Sequence, residues 1–140
     1  MKDMTTFTLT DVERAFRASW SLETTSLDEV GRSRWDPLRP AVGQCGPTAL
    51  VVQDLLGGEL LFADLTGGGE EDEHHYWIRF VGGVEVDLTC EQIGLGRTVS
   101  PPKVVVRPPD FPHHKGPRAH VAAYLLLRAR VADQLGLSLP

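Results

Sequence analysis

Residues 46–56 constrain this chain more tightly than any other stretch. Gly46-Pro47-Thr48-Ala49-Leu50-Val51-Val52-Gln53-Asp54-Leu55-Leu56 is apolar on almost every side, and a helix that is apolar all round must be enclosed by the rest of the fold. Pro47 suits a first helical turn, and Gly57-Gly58 supplies a C-terminal stop. A central, buried helix from Gly46 to Leu56 follows. Directly before it stands Gly43-Gln44-Cys45, with Gly43 free to turn the entering backbone sharply. The first turn of a helix leaves N–H groups unpaired and carries partial positive charge. A thiolate placed there is stabilised and becomes a usable nucleophile, so Cys45 is a candidate catalytic residue.

The remaining elements have to wrap this helix. Thr10 to Glu13 has capping-box spacing and opens a helix with Val12, Phe16 and Trp20 on one stripe. Residues 21–44, rich in Ser, Thr, Gly and Pro, read as a long ordered loop pinned to the body by Trp35, Pro37 and Pro40. Leu60–Ala63, His75–Phe80 and Val84–Leu88 read as strands, the last two joined through Gly82-Gly83 as a hairpin. Thr66 to Asp72 reads as an acidic surface loop. Lys103–Arg107 is a further strand between proline pairs, Pro108–Pro117 is irregular, and Pro117 begins a final helix to about Leu135. Helix, helix, antiparallel strands, helix is the order of an α+β domain, and 140 residues suit one domain, 1–140, with a core of its own.

Charge and cysteine usage narrow the function classes. The net charge is −5 and no basic block is present, which argues against nucleic acid or an anionic membrane as partner. Met1–Thr6 has no apolar signal-like core and no apolar run reaches membrane-spanning length. A cytoplasmic location is the expectation, with Cys45 and Cys90 as free thiols. A disulfide between them would consume the proposed nucleophile.

Strand phase selects partners for Cys45. Alternate residues of a strand share a face, so His75, Trp77 and Arg79 lie together, opposite Tyr76, Ile78 and Phe80. Glu85 and Asp87 share a face on the next strand. If Phe80 pairs with Val84 across a three-residue loop, Asp87 lies opposite Trp77 and diagonal to His75, within side-chain reach. A two-residue loop shifts the register by one and separates them. His74 points to the opposite face from His75. A histidine exchanges protons near neutral pH, and a carboxylate on its other nitrogen fixes the tautomer. Backbone N–H groups at the helix start, including that of Cys45, can hold an oxyanion, and Gln44 can add an amide donor. Trp77 and Trp35 are the aromatic candidates for lining the cleft. The acidic run Glu70–Glu73 flanks the site and would favour basic substrates over anionic ones.

Gly43-Gln44-Cys45, Thr48-Ala49-Leu50, Val52-Gln53-Asp54, Gly57-Gly58-Glu59, His75-Tyr76-Trp77 and Asp87-Leu88-Thr89 with Gln92 together resemble the YunG-like family of small bacterial proteins. Trp35-x-Pro37 and Pro40 fit the same pattern, and the resemblance covers residues 19–95. The Cys, His, Asp order also resembles the papain-like and transglutaminase-like cysteine enzymes, in which a helix-tip cysteine faces a small antiparallel sheet. That resemblance implies Cys45 as nucleophile, His75 as general base and acid, and Asp87 as the orienting carboxylate. Two positions depart from it. Papain-like enzymes take their oxyanion glutamine from several residues before the cysteine, whereas Gln44 is adjacent, and the family's asparagine after His-Tyr-Trp is Ile78 here.

The expected activity is a thiol hydrolase or acyltransferase acting on an amide bond, as peptidase, deamidase, amidase or transglutaminase-type enzyme, without a cofactor or metal. Its substrate would be a peptide or protein amide, or an amide-bearing small molecule. Two alternatives use the same residues. One is a non-catalytic papain-like binding module for a peptide or protein partner. The other is a zinc site of Cys45, His75 and Asp87, which needs the same convergence as the triad; the adjacent pairs His74-His75 and His113-His114 lack zinc-ligand spacing. Gln53 and Asp54, toward the far end of the helix, read as structural residues.

Overall fold

The computed structural model describes residues 7–26, 32–69, 72–108 and 118–139, with residues 118–120 described by their backbone alone. Helix α1 spans Leu9–Ser19. Its cap is Thr8 rather than Thr10: the Thr8 hydroxyl accepts from the Asp11 N–H at 3.1 Å and the Asp11 carboxylate accepts from the Thr8 N–H at 2.8 Å. Thr8-x-x-Asp11 and Thr10-x-x-Glu13 have the same capping spacing. The earlier start places half-buried Phe7 just before the cap and buried Val12 four residues after it, the positions of a hydrophobic staple. Val12, Phe16 and Trp20 form the expected buried stripe.

The apolar run forms α2, Cys45–Leu56, with every residue from Cys45 to Val52 buried. Ala49, Leu50, Val51 and Val52 share one core with Val12, Phe16 and Trp20 of the α1 region, Leu60 and Ile78 of the sheet, and Tyr124, Leu127 and Val131 of the last helix. That helix, α3, is Arg118–Leu135. Gly57 and Gly58 end α2 with positive φ of 76° and 96°, and the chain turns straight into β1.

Strands β1 (Glu59–Gly67), β2 (Glu73–Arg79), β3 (Glu85–Val86), β4 (Arg97–Val99) and β5 (Lys103–Val105) make one antiparallel sheet. The order is β3-β2-β1-β4, with β5 also on β1. β4 and β5 line the same edge of β1. Leu65 pairs with Val99 and Phe62 with Lys103, so one extra residue is accommodated at Ser100-Pro101-Pro102, as in a bulge. β1 runs past the expected Ala63 into the stretch read as loop. β4 was not expected, and β3 is shorter than Val84–Leu88.

Residues 21–26 and 32–44 strap the N-terminal end of α2. Trp35 donates to the Pro40 carbonyl at 3.2 Å and both are half-buried, whereas Pro37 is exposed and pins nothing. The expected Glu70-Glu71 acids, the irregular segment 109–117 and the helix start at Pro117 lie outside the described residues, as do His113 and His114. Among the described residues, no helix is long and apolar enough to cross a membrane.

Candidate active site

Cys45 is the first residue of α2 and is buried, 7% exposed. The helix start has no side-chain cap and no acidic residue in its first turn. Gln44 N–H is used by the Ala41 carbonyl and Thr48 N–H by the Gln44 carbonyl; Pro47 has none. Among the described residues, the N–H groups of Cys45 and Gly46 have no acceptor. Two orphan donors at an enclosed helix tip are a ready site for negative charge. The Cys45 thiol meets the His74 carbonyl at 3.8 Å, beside the edge of β2 that β3 leaves unpaired beyond Ile78.

The hairpin has the register that brings His75 and Asp87 together. Arg79 pairs with Glu85 and Ile78 with Val86, the Phe80 N–H donates to Val84 O at 2.7 Å, and Val81-Gly82-Gly83 is the three-residue loop. His75 Nε2 lies 2.6 Å from Asp87 Oδ2. The other carboxylate oxygen accepts from the Thr89 N–H and hydroxyl, each at 3.3 Å, an Asx-type turn that ends β3 and fixes the carboxylate's orientation. His75 is 1% exposed and its Nδ1 has no conventional hydrogen-bond partner. With Nε2 taken by Asp87, Nδ1 is the nitrogen left for Cys45. Burial alone would make His75 less basic. The hydrogen bond to Asp87, the interaction with the Cys45 sulfur and charge attraction from both override burial and lift its pKa from 6.5 to about 9.

His75, Trp77 and Arg79 make the more polar face of β2, yet that face is buried at His75 and Trp77. Ala63 pairs with His75 and Leu61 with Trp77, and Leu61, Ala63, Leu65 and Trp77 are all buried. The Trp77 ring packs beside the imidazole at 5.6 Å, and its indole N–H donates to the Glu85 carboxylate. His74 points to the other face, exposed and paired with Asp64 at 3.0 Å.

Two expected contributors are placed elsewhere. The Gln44 amide is fully buried behind the helix tip, donating to Ser21 O at 2.9 Å and accepting from the Thr24 hydroxyl at 2.8 Å. It is committed to the strap rather than presented to the sulfur. The Trp35 hydrogen bond belongs to the 35–40 turn, and its indole N–H is not directed at Cys45, His75 or Asp87. Tyr76, on the face of β2 with Ile78 and Phe80, is half-buried, and its phenol is pushed upward by burial and then by the charge of Cys45. Its phase was legible; its closeness to the sulfur depends on where α2 crosses the sheet.

Cys45 and Cys90 are both free thiols. Asp87 holds one ring nitrogen of His75, and the imidazole also feels the Cys45 sulfur. Among the described residues, no three His, Cys, Asp or Glu side chains form a metal-binding group.

The family described as YunG protein matches this chain over residues 8–136. A Bacillus subtilis (strain 168) protein named "Uncharacterized protein YunG" is 33% identical over 81 residues, covering 58% of this chain and 59% of that relative. No solved structure matches.

Proposed function

The chain belongs to the YunG protein family, and from that premise and the surroundings of Cys45 we propose that it is a papain-like cysteine enzyme that transfers the acyl group of an amide to water or to an amine. The observation that carries the reading is the fully buried His75, with one nitrogen held by Asp87 and the other left for the thiol of a helix-tip cysteine. A buried imidazole whose pKa is raised by specific partners is the kind of perturbed group that clusters at functional sites.

In this reading the His75 imidazolium stabilises negative charge on the Cys45 sulfur. The sulfur attacks the amide carbon, and the carbonyl electron pair moves onto oxygen, where the Cys45 and Gly46 N–H groups receive it. Collapse returns the pair and breaks the C–N bond, and the leaving amine takes its proton from His75. Water or a second amine then attacks the thioester as His75 takes its proton. The adduct collapses with cleavage of the C–S bond, freeing the acyl product and returning the Cys45 thiolate. Asp87 holds the ring in place throughout. The substrate class is a peptide or protein amide, or a small amide.

The low exposure of Cys45 favours a second reading, a non-catalytic module that keeps the cleft for a peptide partner. Limiting iodoacetamide near pH 7 separates the two. Cys90 is exposed and Cys45 buried, so accessibility alone puts Cys90 first. The enzyme reading expects Cys45 to be alkylated first, and His75→Ala to slow it about tenfold or more. Preferential labelling of Cys90, with Cys45 indifferent to the His75 substitution, would sink it.

A further inference from the structure

The Gln44 amide is tied to Ser21 and Thr24, whereas β2 carries a hydroxyl on the face toward α2. Ile78 packs into the core with Ala49–Val52 of α2, and Tyr76, two residues along the same face, packs against that core half-buried. The next step along β2 reaches His74, whose carbonyl meets the Cys45 sulfur. Along β2, Tyr76 therefore stands between Ile78, in the core with the body of α2, and His74, whose carbonyl meets the sulfur at the tip. Phe62, its cross-strand partner, holds the ring edge-on at 5.1 Å. Among the described residues, the Tyr76 hydroxyl has no hydrogen-bond partner, and the phenol feels the charge of Cys45.

We propose that the Tyr76 hydroxyl is a donor of the oxyanion site, completing with the Cys45 and Gly46 N–H groups the cradle for the carbonyl oxygen of an acyl group under attack by Cys45. The inference rests on the acyl-transfer reading. As the sulfur–carbon bond forms, the carbonyl π pair moves onto oxygen and the phenol O–H donates to it. The phenol proton stays on Tyr76, and collapse of the adduct expels the leaving group with a proton from His75. The donor acts only when an oxyanion exists, so it contributes to acylation and not to simple displacement at sulfur.

Tyr76→Phe removes the hydroxyl and keeps the ring against Phe62. The experiment compares acylation of Cys45 by p-nitrophenyl acetate, followed as the nitrophenol burst, with alkylation by iodoacetamide, whose displacement forms no oxyanion. The expected result is acylation slowed at least about tenfold, with alkylation within about twofold of wild type and an unchanged urea midpoint. Acylation that falls no further than alkylation overturns the proposal. A wild-type burst that survives Cys45→Ser, or the absence of any burst, overturns the acyl-transfer reading and this proposal together. An intact burst in Tyr76→Phe that is lost in Cys45→Ser overturns the role of Tyr76 alone.

Discussion

In the proposed reading the His75 imidazole carries the proton transfers, and its charge leaves a mark on stability. In the folded protein its pKa is raised from 6.5 to about 9, so the protonated form is favoured by folding. The resulting stabilisation is fully present below pH 6.5 and is lost as the pH rises through 9, and it is of order 3 kcal/mol. Urea unfolding at pH 6 and pH 9.5 should show a loss of that sign and size. Asp87→Asn keeps an acceptor for His75 but removes the charge, and should reduce the loss. A pH dependence identical in the two proteins would mean that the carboxylate does not hold the proton on His75. Cys45, His75 and Asp87 were legible because helix-start chemistry and strand phase are local properties. Gln44 was not. Which way its amide turns is decided by Ser21 and Thr24, some twenty residues earlier, and nothing in its neighbours encodes that. Tyr76 was read on the correct face, but the burial of that face under the end of α2 is a tertiary fact.

At the scale of elements, the joint between α2 and β1 sets the helix tip against β2. Gly57 and Gly58 both have positive φ, but only Gly58 is crowded. A Cβ there would stand 2.8 Å from Ile78 Cγ2, 3.0 Å from the Arg79 carbonyl oxygen and 3.1 Å from Phe80 Cδ1, whereas at Gly57 it would meet nothing within 4 Å. Gly57→Ala should cost about 1–3 kcal/mol for its backbone conformation alone. Gly58→Ala should cost a further 1–3 kcal/mol or so, because β2 must move away. Equal losses for both in urea unfolding would mean that the approach of Gly58 to β2 is not tight. The two glycines were legible as a helix stop, but the difference between them appears only once β2 is in place. The hairpin register was legible as one of two choices, and the Phe80–Val84 pairing is the one found. β4 was missed because three residues, Arg97–Val99, carry too little alternation to read. β3 ends early because the Asp87 carboxylate bends the chain through Thr89.

Across the whole molecule, the far end of the central helix is fastened by charge. Asp54, 14% exposed at the side chain, accepts from Arg107 at 2.7 Å, the Tyr124 hydroxyl at 2.5 Å and Arg128 Nε at 3.1 Å. Arg107 also donates to the Leu50 carbonyl at 2.8 Å and lies over the Tyr124 ring. One carboxylate thus joins α2, the chain leaving β5, and α3. Its sequence neighbour Gln53 instead closes the local turn by donating to Gly58 O at 3.0 Å. Asp54 was readable as structural, but its partners lie 53, 70 and 74 residues away. The opposite end of the helix is held by neutral bonds, Trp20 to the Thr48 hydroxyl at 2.9 Å and the strap on Gln44. The division is physically sensible: a carboxylate near Cys45 would oppose charge on the sulfur, while at the other end it is neutralised by two guanidinium groups. Asp54→Ala leaves those cations facing one another in a partly buried site and should cost about 3 kcal/mol. Tyr124→Phe removes one hydrogen bond and should cost about 1 kcal/mol. Neither should alter the ratio of Cys45 to Cys90 alkylation in the folded state, because the clasp sits at the end of α2 remote from the thiol. A changed ratio at full native signal would show that the clasp sets the position of the helix tip as well as the stability of the fold.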